Sequence, residues 1–125
     1  MSHDVRTRLL MEPVDGVMVA SFSDDALLAE DVVREVEDQF EVLWDGVGAG
    51  GVLVNFRGVR FVSSTMLAVL IKFARKVEKG GGRVKVCELA PHLKEVFRLG
   101  RFDRFCEVFD DEATALDSFA TKQTG

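Results

Sequence analysis

Apolar positions alternate along some stretches and recur every three to four residues along others, dividing the chain into short strands and amphipathic helices. Val5 to Val14 and Val17 to Phe22 read as β-strands joined by Asp15-Gly16, a pair that favours a tight hairpin turn. A polar loop at Ser23, Asp24 and Asp25 follows, and then Val32, Val33, Val36, Phe40, Leu43 and Trp44 recur with helical period. Glu30 and Asp31 suit the positive end of that helix dipole, and Gly46 to Gly51 supplies its stop. Val52 to Phe56 is an apolar strand, Gly58 marks a turn, and Ser63, Ser64 and Thr65 stand immediately before a second helical pattern. Leu67, Leu70, Ile71, Ala74 and Val77 form one face of that helix. Met66, Val69 and Phe73 widen the stripe beyond a single core contact, so a second helix or a partner must cover that edge.

Gly80 to Gly82 end this helix, and Arg83 to Glu88 reads as a strand with Val84 and Val86 on one side. Pro91 fits the first turn of a short helix that runs to about Leu99 and ends at Gly100. Phe105 to Phe109 is a last strand, after which Asp110 or Asp111 caps a terminal helix through Ala113, Leu116 and Phe119. Residues 122–125 read as a flexible tail. The order ββαβαβαβα predicts a single α/β domain over residues 1–125, a mostly parallel mixed sheet with helices packed on it and one antiparallel hairpin at the start.

Composition narrows the function. A chain of 125 residues can bury a core without disulfides or metal, and a net charge of −5 argues against a nucleic-acid surface. No apolar run has the length of a membrane span or the form of a signal peptide, so a cytoplasmic location is expected. Cys87 and Cys106 fall in apolar, strand-like segments and are expected as buried free thiols. His3 lies at the terminus and His92 in a first helical turn, neither with ligand-like neighbours, so no metal site is expected.

The search for a catalytic set ends the same way. Gly80 to Gly82 follow a helix and enter a strand, the reverse of the order a phosphate-binding loop requires. The carboxylate pairs Asp24 with Asp25, Glu30 with Asp31, and Asp110 with Asp111 read as caps and solvated faces. No catalytic residue and no cofactor is expected. The hydroxyl cluster is different, because one helix cap needs one hydroxyl and here there are three. A hydroxyl at a helix N-terminus is also a good phosphorylation site, since the helix dipole tolerates the phosphate's charge of about −2.

The segment Phe61, Val62, Ser63, Ser64, Thr65, Met66, Leu67, Ala68, the preceding VLVNFRGVRF and the later GRFDRFCEVFDDEATAL resemble the STAS domains, and among them the stand-alone bacterial anti-sigma-factor antagonists. The resemblance runs over nearly the whole chain. It implies a STAS-like fold and a non-enzymatic protein of a partner-switching pathway. Such a protein binds an anti-sigma factor that is also a serine/threonine kinase, is released when that kinase phosphorylates the hydroxyl at the helix start, and is restored by a phosphatase. Carried over by position, the phosphoacceptor is Thr65, with Ser64 and Ser63 as alternatives. The expected partner-binding residues are Asp24, Asp25, Ser63, Ser64, Met66, Val69 and Phe73. An exposed Phe73 edge would also favour a homodimer.

The family pattern at this segment reads Phe, apolar, Asp, Ser, Ser or Thr, Gly, Leu, Gly. Ser63 stands in place of the Asp, and Met66 and Ala68 in place of the glycines. These departures support the alternative of an unphosphorylated STAS scaffold or an accessory subunit of a signalling or transport assembly.

Overall fold

The Asp15-Gly16 turn, with both residues at positive φ, folds β1 (Leu9–Val14) back on β2 (Val17–Phe22) as an antiparallel pair. The computed structural model describes residues 7–47 and 50–121. The chain continues through β3 (Ala26–Leu27), α1 (Glu30–Val47), β4 (Gly51–Asn55), β5 (Phe61–Val62) and α2 (Ser64–Lys79). It ends with β6 (Arg83–Cys87), α3 (Pro91–Leu99), a 3-10 turn at Phe102–Arg104, β7 (Glu107–Phe109) and α4 (Glu112–Thr121). The main sheet has the order β1-β2-β4-β6-β7, parallel from β2 onwards. This is the expected mixed α/β architecture.

Each parallel step advances one strand in the same direction, and right-handed crossovers then place α1, α2 and α3 on a single face. Their apolar stripes meet Ala20, Phe22, Val52, Val54, Phe56, Val84 and Val86, the residues that alternate toward that side. The other face carries Val17, Val19, Leu53 and Cys87 against Ala115, Leu116 and Phe119, which include residues of α4. Lys85 is buried on this face, donating to Ser118 Oγ at 2.8 Å with its Nζ 4.5 Å from the Phe119 ring centroid.

The wide stripe of α2 is covered from inside the molecule. Phe73 stacks on Phe40 of α1 at 4.4 Å between centroids, and Met66, Val69 and Phe73 keep only 0%, 8% and 4% of their surface. Gly80 lets the two helices close at their far end, since a Cβ there would lie 2.6 Å from Trp44 Cη2.

Several boundaries differ from the sequence reading. Val5 lies outside the described residues, and the first strand begins at Leu9, because Gln39 Oε1 of α1 accepts both the Arg8 and Leu9 N–H groups at 2.9 and 2.8 Å. Phe105 is not in a strand: its N–H and that of Cys106 turn back to the Phe102 carbonyl, closing the 3-10 turn. The β6 strand stops at Cys87, since Glu88 takes a positive φ of 61°. The choice of cap for α4 falls to Asp111, whose Oδ1 accepts the Thr114 N–H at 2.7 Å. That bond holds the Asp111 carboxyl below its usual range. The expected tail at 122–125 lies outside the described residues.

Candidate functional site

The hydroxyl cluster sits past the carboxyl end of β4, the edge where open α/β sheets place their sites. After Phe56 the chain turns through Gly58, at φ +85°, and the buried Val59 pins the turn, its N–H donating to the Phe56 carbonyl at 2.9 Å. The following segment is zipped to the loop after β2. Arg60 and Phe61 both donate to the Asp25 carbonyl, at 2.7 and 3.3 Å, and Ser63 N–H donates to the Leu27 carbonyl at 3.0 Å. The β3–β5 ladder is this contact. It holds Asp25 and the start of α2 together at one end of the molecule.

Ser63 is the N-cap of α2, in extended conformation, its Oγ accepting the Met66 N–H at 3.0 Å. Ser64 and Thr65 occupy the next two positions and are both exposed. Among the described residues neither hydroxyl has a hydrogen-bond partner, and the first turn carries no acidic side chain. Three hydroxyls in sequence thus divide into one structural cap and two free groups at the positive end of a 16-residue helix.

Around them lies a surface that sequence reasoning passed over. Phe61 is 51% exposed, because in the short β5 strand Val62 points inward and Phe61 outward. Leu28, also 51% exposed, follows the paired β3 strand. Arg60 lies over the Phe61 ring at 5.8 Å, and His92 Nε2 is 2.6 Å from the Arg60 carbonyl. The available signal was Phe61 itself, a large apolar residue directly before a polar cluster.

Three expected docking residues are displaced by helical geometry. Met66, Val69 and Phe73 lie on the inward side of α2 and form core against the sheet and α1, so they present no surface to a partner. The argument for self-association through Phe73 falls with them. Of the two residues that replace the family's glycines, Met66 is buried and Ala68 is exposed. Asp24 is engaged elsewhere: both its carboxylate oxygens accept from Arg8 Nη1 at 3.0 Å, while Arg8 Nε donates to Glu35 at 2.7 Å. Asp25 contributes its backbone carbonyl to the site.

Both thiols are buried and free, and burial pushes each up to about 12, so they stay protonated at neutral pH. Among the described residues no group of three or more His, Cys, Asp or Glu could hold a metal, and no helix is long and apolar enough to cross a membrane.

A mostly parallel sheet with three helices on one face and a fourth on the other defines a class of domain, and the comparisons agree with it. The STAS domain model matches residues 11–115, and the chain belongs to this family. It is 26% identical over 116 residues to BtrV of Bordetella bronchiseptica, a protein named as an anti-sigma factor antagonist, covering 91% of this chain and 96% of that one. An anti-sigma-factor antagonist (STAS) domain protein from Planctomyces limnophilus superposes with a TM-score of 0.79 at 20% identity, over 90% of this chain and 97% of that one. The Bacillus cell fate determinant SpoIIAA in its phosphorylated form gives a TM-score of 0.66 at 18% identity, over 88% and 97%.

Proposed function

We propose that this protein is an anti-sigma-factor antagonist of a partner-switching pathway. It docks on a serine/threonine-kinase-type anti-sigma factor through the exposed surface of Phe61, Ser64, Thr65 and Ala68, and phosphorylation of Thr65 releases it. A phosphatase restores the binding form. The observation that carries this reading is the division of labour among the hydroxyls: Ser63 caps α2, leaving the Thr65 hydroxyl exposed and without structural duty. Phosphate added there brings a charge of about −2 to a surface that no described carboxylate of the first turn occupies. The helix dipole accommodates that charge, so the domain stays folded while its docking surface changes. The name of the Bordetella relative supports the antagonist role.

Fragment mass spectrometry of the protein purified from its own cells tests the switch. A phosphate on Thr65 is the expected result; a phosphate on Ser64 moves the switch by one residue. Absence of phosphate in the Phe61 to Lys72 segment across growth conditions rejects the switch in favour of an unphosphorylated scaffold.

A further inference from the structure

We infer that the outer face of α2 is a docking groove for an acidic amphipathic helix of a protein partner. The groove, of about 540 Å³, has an apolar floor of Ala68, Ile71 and Phe102 and a rim of Lys72, Arg75, Lys76 and Lys79. No carboxylate lines it, although the chain as a whole carries a net charge of −5. Lys72 and Lys76 stand on the α1 side, where they pair with Glu37 and Glu41 at 3.3 and 2.5 Å. Arg75 stands on the other side, over the Phe105 ring at 5.8 Å. Neither Arg75 nor Lys79 makes an ion pair with any described residue.

An apolar patch edged by four cations matches a helix whose apolar stripe is bordered by Asp and Glu. From Ala68 to Lys79 the groove runs three turns, about 16 Å, the span of a short docking helix. A nucleic-acid strand fits less well, because a net charge of −5 repels a polyanion and the floor offers apolar side chains where phosphates would lie. Thr65 lies on the same helix face, three residues before Ala68 and seven before Lys72. Its phosphate would therefore meet the end of the acidic helix and repel it. That last step rests on the switch proposed above; the groove does not.

The test titrates the 15N-labelled full chain with a synthetic amphipathic peptide bearing leucines on one face and glutamates on its flanks. A lysine-flanked peptide and a short oligonucleotide serve as the other probes. Saturable amide shifts confined to Ala68 through Lys79 and Phe102 are expected with the glutamate peptide alone, with binding weakened about tenfold or more in the Arg75→Glu/Lys79→Glu double variant. These side chains are exposed, so the fold is retained. Equal response to the oligonucleotide overturns the inference in favour of a polyanion site, and no saturable shift in this face overturns it outright. Weaker peptide binding by Thr65→Asp ties the groove to the switch; unchanged binding leaves the groove standing and removes the tie.

Discussion

Phe40 of α1 and Phe73 of α2 stack at 4.4 Å with their planes 14° apart, and this contact turns the broad apolar stripe of α2 into core. Neither ring keeps more than 4% of its surface. Phe73→Ala removes the stack and leaves a cavity between two helices already fixed on the sheet, so it is expected to destabilise the domain by about 3–5 kcal/mol. Lys79→Ala, on the outer face, is expected to change stability by no more than about 0.5 kcal/mol. Urea denaturation of the two variants checks the contrast; equal effects would mean Phe73 is not core.

Ser63 stands where the family pattern has Asp, and its cap on the Met66 N–H explains why the exchange is tolerated. Either side chain offers an oxygen acceptor at the same position. Ser63→Ala is expected to cost about 0.5–2 kcal/mol, whereas Ser63→Asp keeps the cap and adds a charge that suits the dipole. Ser64→Ala, at an exposed hydroxyl with no described partner, is expected to be close to neutral. Thermal melts of the three variants separate the cap from its neighbours.

The succession of main-sheet strands and helices along the chain was legible because most span several residues of clear period, as at Val52 to Val54 or along α1. The β3–β5 ladder was not, since two paired residues such as Ala26 and Leu27 contain no period to read. The breadth of the α2 stripe was visible, but a stripe does not say what covers it; only the crossover geometry brings Phe40 onto Phe73. The resemblance placed Asp24 at the docking surface, and nothing local to its loop announces Arg8, sixteen residues away. Three adjacent hydroxyls could be read as a site, while the choice of Ser63 as cap depends on the ψ of 163° at that residue.

Burial raises Cys87 and Cys106 from an ordinary 9.0 to about 12, and this sets an alkaline limit on the fold. Well below pH 9 the thiols are protonated in folded and unfolded chains alike and contribute no pH dependence. As pH rises from 9 toward 12, only the unfolded chain ionises them, so stability falls across that window. Urea melts at pH 8, 9.5 and 10.5 are expected to show the decline, and a double Cys→Ala variant is expected to flatten it. At pH 8 the native protein is expected to resist alkylation that modifies both thiols in urea.

Thr65→Asp places a carboxylate at the second residue of α2, where the dipole favours it, so the melting temperature is expected to hold or rise slightly. Affinity for the kinase-type anti-sigma partner, measured by isothermal titration calorimetry, is expected to fall about tenfold or more, equivalent to about 1.4 kcal/mol or above. Thr65→Asn has nearly the same shape as Thr65→Asp and no charge. If repulsion is the cause of release, the neutral variant keeps most of the affinity and the loss in the charged one shrinks as salt screens the surface. Equal losses in both variants would assign the effect to shape at the helix start, and full binding by a folded Thr65→Asp protein would reject Thr65 as the switch.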